Sequence, residues 1–475
     1  MRVRICKVVG FLVGWVLALA ISGCSVVAVE RSTDPVNKDY PSGWSVNPAG
    51  ELGVDQNWIA RFKDRQLAIL VAEAMNQNPD LRATAERVLR AEAVARLAGA
   101  RKKPQVSGQI SGLQQKQRFP GFPIKLGSNT AESYGASLDI NWEPDLWGRM
   151  RASQRAEVAE SMAQSQDYRA ARASLAGQLA KAWFVLGEAM EQIMLAEAAI
   201  EVRVKTVASI RERFAAALEG GLASQLRLAE TDLASSRASL ARWQAERAQA
   251  QRQIELLVGR FPAGMVAQPR GLPTAPPVPP SGLPSELLQR RPDIIAARQR
   301  YTAAGNRKSA ARAARFPSFS LTGRAGTSTG ALEEVLDSGF GIWSVAGSVV
   351  QPLIGGGRLR VEERIAGHDE IIALRELQGT ILRAFAEVEQ ALVAEEFYAK
   401  REAAVADSAR LAREAAEASI LDFADGAVDA LTLLAAQDRK VQTAFQLVSL
   451  RRIRLENRIN LHLALGGDFQ FRASR

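Results

Sequence analysis

One thiol in this sequence stands where chemistry is expected. Ile21-Ser22-Gly23-Cys24 has the small residues and cysteine of a bacterial lipobox, and it closes a leader with basic residues Arg2, Arg4 and Lys7 and an apolar run from Val8 to Ala20. That run has the length of a secretory h-region and is too short for a permanent span. Residues 1–23 are therefore predicted to be a signal peptide, and the Cys24 thiol is predicted to take a diacylglyceryl group. One acyl signal anchors weakly by itself, whereas several chains plus an embedded protein surface hold firmly. The other cysteine, Cys6, lies in the leader, so the mature chain can form neither an internal disulfide nor a cysteine metal site.

No converging catalytic constellation appears, and the chain is expected not to be an enzyme. His368 and His462 are isolated, and no GxSxG, Walker A, HExxH or CxxC pattern occurs. Gly355-Gly356-Gly357 lacks phosphate-binding spacing and reads as a strand-to-helix turn. No metal and no cofactor are expected beyond the covalent lipid at Cys24. The net charge of +10 falls to +7 once Arg2, Arg4 and Lys7 leave with the leader. The remaining cations mix with acids along helical segments such as Arg211-Glu212-Arg213, without a basic stripe interleaved with aromatics, so a nucleic-acid partner is not expected.

Proline placement shows the elements that carry these residues. No proline lies between Pro144 and Pro262 or after Pro352, and both stretches are rich in helix formers. Pro269, Pro273, Pro276, Pro277, Pro279, Pro280 and Pro284 form an extended linker, taken as 269–284, between residues 24–268 and 285–475. The two halves repeat. Asn78-Pro79-Asp80-Leu81 matches Arg291-Pro292-Asp293-Ile294, and the spacings Pro79 to Pro104 and Pro292 to Pro317 are both 25 residues. Trp147-Gly148-Arg149 matches Gly356-Gly357-Arg358, and Gly221 to Leu226 matches Gly426 to Leu431. The offset drifts from 213 to 209 to 205, as expected for a duplication whose loops differ.

Each half reads as helix, β-hairpin, very long helix, turn and helix. The hairpins are placed at about 104–143 and 316–352, the long helices at about 149–258 and 358–464. From Tyr134 to Trp142 apolar residues take every second position while Gly135, Ser137, Asp139 and Asn141 fill the rest, the mark of a strand with dissimilar sides. Its partner is expected at Val106 to Leu113. From Arg149 to about Arg213 runs a helix of roughly 65 residues, about 100 Å long. Leu179, Leu186, Ile193, Ile200 and Val207 recur at sevens beside Ala182, Ala189 and Ala196, a heptad seam that lets helices approach closely. In the second long helix Ile371, Leu374, Ile381, Phe385, Val388 and Leu392 are expected to form the stripe. The fold class is mainly α with a small membrane β part. Four strands cannot close a barrel, and open edges cannot sit in hydrocarbon, so several copies must share one wall.

The chain resembles the TolC-like outer-membrane efflux factors, specifically the NodT-type lipoproteins of resistance-nodulation-division pumps. The resemblance rests on Gly282 to Ile294, Arg315 to Gly323, Pro352 to Arg358 and Ala464-Leu465-Gly466-Gly467. It covers nearly all of the mature chain. It implies a homotrimer with a twelve-stranded barrel continued by an α-helical barrel, lipid-anchored in the outer membrane and extending into the periplasm. Ser25, where inner-membrane lipoproteins carry Asp, agrees. The implied function is a passive conduit for small molecules and drugs, working with a periplasmic membrane-fusion adaptor and, through it, an inner-membrane pump. By the same resemblance Gly221, Leu222, Gly426 and Ala427 are the adaptor-docking tips, while Asp429 and Leu431 form a periplasmic gate. Thr432 stands where some relatives carry a second acid, which argues against a double acidic ring. The alternatives are an exit duct for protein secretion and a non-conducting coiled-coil envelope lipoprotein.

Overall fold

Each helix and strand of the first half has a counterpart in the second. The first half runs α1 (Arg65–Gln77), α2 (Pro79–Ala100), β1 (Gln105–Gln117), β2 (Asn129–Trp142), α3 (Arg149–Ala215) and α4 (Ala223–Val258). The second runs α5 (Leu287–Arg290), α6 (Pro292–Ala313), β3 (Ser318–Thr329), β4 (Gly341–Val350), α7 (Arg358–Ala424) and α8 (Ala430–Ala464). These elements come from a computed structural model that describes residues 43–46, 58–117, 129–216, 222–282 and 284–467. The leader, Cys24 and Gly221 lie outside the described residues. Residues 259–282 carry no helix or strand, because their prolines remove backbone donors and fix φ.

Local chemistry sets the start of the long helices. Gly148 and Gly357 precede α3 and α7 with φ of 76° and 80°, a left-handed conformation that glycine adopts without a Cβ penalty. Both helices then run 67 residues, about 100 Å at 1.5 Å per residue. No helix among the described residues is apolar enough to cross a membrane.

The duplicated Asn-Pro-Asp and Arg-Pro-Asp segments do equivalent work. Asn78 caps α2 by accepting from the Leu81 amide at 2.8 Å, and its Nδ2 donates to the Leu257 carbonyl at the end of α4, 2.9 Å away. Arg291 precedes α6, and its Nη1 donates to the Ala464 carbonyl at the end of α8, also 2.9 Å away. Nη2 of Arg291 reaches Asp293 and Glu387, both at 2.8 Å. Each half thus ties the start of its second helix to the end of its last one.

The heptad seam of α3 is packed. Leu179, Leu186, Ile193, Ala189, Ala196 and Val207 are buried, and Ile200 is half-buried. The main apolar core forms where Trp58, Phe62, Leu67 and Leu70 meet Leu179, Trp183, Phe184 and Ile254. A second cluster joins Trp44, Leu287, Val388, Leu392 and Leu461. A third closes the far end with Val207, Ile210, Phe423, Leu433 and Leu434. The stripe read for α7 needs one correction. Ile371 is 52% exposed, and the buried seam runs through Leu377, Ile381, Ala384, Val388 and Leu392. Residue 371 sits too far round the helix from that seam, because each residue turns the helix by about 100°.

The four strands form one antiparallel sheet in the order β1-β2-β3-β4. The β2–β3 pairing joins a strand from each half, leaving β1 and β4 as the edges.

Candidate functional site

Residues directly opposite in an antiparallel pair share a face, so register sorts every strand residue. Val106 opposes Ile140, and Ile140 in turn opposes Gly323, which opposes Val345. Along the same face Leu138 opposes Ala325, which opposes Trp343, and Phe319 opposes Val349. This face is apolar, and no described residue covers it. Ile110 is 85%, Trp343 80% and Val345 76% exposed. Soluble proteins rarely leave so much contiguous apolar surface in water.

The opposite face is polar. Ser107 opposes Asp139, Asp139 opposes Arg324, and Arg324 opposes Ser344. Arg324 Nε donates to Asp139 Oδ1 at 2.6 Å, and Arg324 Nη2 donates to Gln109 Oε1 at 3.2 Å. Ser137 Oγ donates to Asp139 Oδ2 at 3.0 Å, and the hydroxyls of Ser320 and Ser348 lie 2.7 Å apart. The sequence reading found Asp139 and missed Arg324. Alternation in the second hairpin is weaker, and the arginine becomes legible only once β3 is registered against β2.

Both hairpins are pinned to the helices by indoles. Trp142 Nε1 donates to the Lys102 carbonyl at the end of α2, 3.0 Å away. Trp147 Nε1 donates to the Pro317 carbonyl at 2.7 Å and stacks on Phe316 with ring centroids 5.1 Å apart. Amphipathic rings at the base of an apolar sheet suit a membrane–water boundary.

The far ends of the long helices carry the turns. After α7, Gly426 adopts φ 77°, the Ala427 amide donates to the Asp422 carbonyl at 2.7 Å, and the Gly426 amide to Phe423 at 3.2 Å. This is a Schellman close, which needs a residue free to take positive φ. Leu222 caps α4 and is 61% exposed, and Ala427 is exposed. The ends of α3 and α7 are clasped together, since Arg213 of α3 donates to the Phe423 carbonyl at 2.6 Å and lies over the Phe423 ring.

Asp429 is the N-cap of α8. Its Oδ1 accepts from the Thr432 hydroxyl at 2.7 Å and from the Thr432 amide at 2.9 Å. Those bonds, the hydroxyl first, hold the carboxyl below the usual aspartate value. Leu431 is 47% exposed. Within one protomer Asp429 and Leu431 therefore sit on open surface beside the tip. Among the described residues no group of His, Cys, Asp and Glu could hold a metal ion.

A family model described as "Outer membrane efflux protein" matches residues 70–260 and 283–467, which takes in both halves of the fold. The chain belongs to the outer membrane efflux protein family. It is 29% identical over 472 residues to the cation efflux system protein CusC of Escherichia coli O6:H1, covering 98% of this chain and 99% of that one. It is 28% identical to the probable outer membrane lipoprotein SilC of Salmonella typhimurium, covering 94% of this chain and 96% of that one. Its structure resembles the solved outer-membrane channel OprN with a TM-score of 0.84 at 27% identity, covering 91% of this chain and 99% of that one. This outer membrane efflux protein is thus an outer-membrane channel of an efflux system, and its two-faced sheet is the membrane wall.

Proposed function

We propose that three copies of this efflux protein close their sheets into one twelve-stranded barrel and line up their long helices as a passive duct across the periplasm. The observation that carries this reading is the sheet itself, apolar and uncovered on one face, polar on the other, with two unpaired edges. Lipid cannot satisfy an open strand edge, so β4 of one copy must pair with β1 of the next. Eight strands would leave an interior filled by side chains, whereas twelve leave room for a passage. Helices of about 100 Å suit a span well beyond the bilayer.

In this reading the duct exports small molecules. Leu222, Gly426 and Ala427, with Gly221, meet a periplasmic adaptor that links the duct to an inner-membrane pump. Asp429 and Leu431 approach their copies around the axis and narrow the entrance, where three carboxylates would repel anions and attract cations. Cys24 carries the lipid that holds the chain to the outer membrane. The named lipoprotein character of the relative SilC supports that anchor.

The test is the mass of the detergent-purified assembly together with conductance in a planar bilayer. A three-copy mass with stepwise current is expected. A monomeric, water-soluble product, or an assembly that passes no current, overturns the proposal.

A further inference from the structure

Beneath the sheet, α6 and α7 flank an open cleft of about 460 Å³. Lys308, Arg315, Arg360, Arg364 and His368 line it, with Glu363 as the one carboxylate in its wall. Glu363 accepts from Arg315 at 2.5 Å, and Glu370 accepts from Lys308 at 2.6 Å. Arg360 and Arg364 make no ion pair among the described residues, so two guanidinium groups remain uncompensated at the cleft.

Two placements identify what fits there. Arg360 and Arg364 follow the start of α7 at Arg358 by two and six residues, so they lie within about 10 Å, along the axis, of the connection from the membrane strand β4. That connection exposes Leu353 (89%) and Ile354 (96%), and Phe316, before β3, is 47% exposed. An apolar rim therefore adjoins a cationic cleft at the height where lipid headgroups lie, a layer of several Å beyond the hydrocarbon core. The same stripe of α7 continues through Phe385 and Glu389. There Trp44 packs on Phe385 with ring centroids 6.1 Å apart, and the Ser45 amide donates to Glu389 at 3.0 Å. Trp44 and Ser45 thus rest on the cleft's own face of the helix.

We infer that this cleft binds the phosphate of an anionic glycerophospholipid from the leaflet facing the helices. Guanidinium forks match phosphate oxygens two at a time, and basic pockets beside membrane spans take anionic headgroups. Leu353 and Ile354 would lie along the acyl chains. A free phosphate ion has no use for that apolar rim. The inference rests on the sheet's apolar face lying in lipid, and conductance is recorded on the same samples so that failure of the duct and failure of the cleft are told apart.

The experiment is native mass spectrometry of the full chain, delipidated in detergent and incubated with phosphatidylglycerol or with phosphatidylcholine. The wild type is expected to retain phosphatidylglycerol preferentially. The pair Arg360→Gln with Arg364→Gln is expected to lose about tenfold or more of that retention, since each cation near a membrane surface is worth about a factor of five. Arg360→Lys with Arg364→Lys keeps the charge and is expected to keep most of the retention. Equal retention of the two lipids by the wild type overturns the inference, whether or not the Gln pair folds. Displacement of the bound lipid by millimolar inorganic phosphate also overturns it, because the cleft would then read only the ion.

Discussion

Arg324 and Asp139 stand directly opposite each other across the one strand pairing that joins the two halves of the chain, with Nε 2.6 Å from Oδ1. They lie on the polar face, so the bridge faces the lumen of the proposed barrel. It contributes little to stability, because exposed pairs are worth about 0–1 kcal/mol, but it fixes the local charge of the passage. Arg324→Ala should leave carboxylates unbalanced and shift permeability toward cations, and Asp139→Ala should shift it toward anions. The double substitution should return near the starting value. Reversal potentials across a potassium chloride gradient measure this, and unchanged potentials in both single variants would remove Asp139 and Arg324 from the lumen.

The two faces of β2 should respond oppositely to the same insult. Leu138→Arg places a charge on the apolar face, where a cation at mid-bilayer costs about 2–4 kcal/mol. Ser137→Arg, one residue away, points into water. The first variant should fail to reach a folded, membrane-embedded state, while the second should assemble and pass less current. Gel mobility with and without heating distinguishes folded from unfolded barrel.

At the tip, a Cβ on Gly426 would meet no described atom within 4 Å. The positive φ makes a bulky residue there strained by about 1–2 kcal/mol, too little to unfold helices of this length. Gly426→Phe should therefore keep the assembly intact and abolish cross-linking to the adaptor. Persisting cross-links would move the docking surface elsewhere.

Asp429 offers a pH dependence whose sign is fixed. Its carboxyl is held below the ordinary 3.8 by Thr432, so its capping contribution is complete above that value and is lost as the pH falls through the lowered one. Protection of the Thr432 amide from exchange should persist through the ordinary value of 3.8 and be lost only below it. Thr432→Val removes the hydroxyl bond and should bring that loss to a higher pH. Fast exchange at neutral pH in the wild type would contradict the cap.

Asn78 and Arg291 predict paired effects on stability. Asn78→Ala removes a helix cap and a bond to Leu257, a loss of about 1–2 kcal/mol. Arg291→Met strands the buried Ala464 carbonyl and two carboxylates, a loss of about 1–3 kcal/mol. Both should lower the thermal midpoint followed by helical circular dichroism. Arg291→Lys should not rescue, since an ammonium cannot reproduce the fork.

Much of this molecule was readable along the chain. The alternation from Tyr134 to Trp142, the sevens from Leu179 to Val207 and the proline-free runs report local geometry. A strand repeats every two residues and a helix every 3.6, so their faces are written into spacing alone. The matched Asn78 and Arg291 segments were likewise visible as a repeat, though not the bonds that make them equivalent. What spacing could not contain is which strand lies beside which. β2 and β3 are separated by α3, α4, the proline-rich linker, α5 and α6, and only the return of that whole segment lays Arg324 against Asp139. The β3–β4 hairpin sets α6 against α7, turning Ile371 from an expected seam position into the wall of a cationic cleft. Pairings between distant segments depend on how long helices pack, and no periodicity within one segment encodes that.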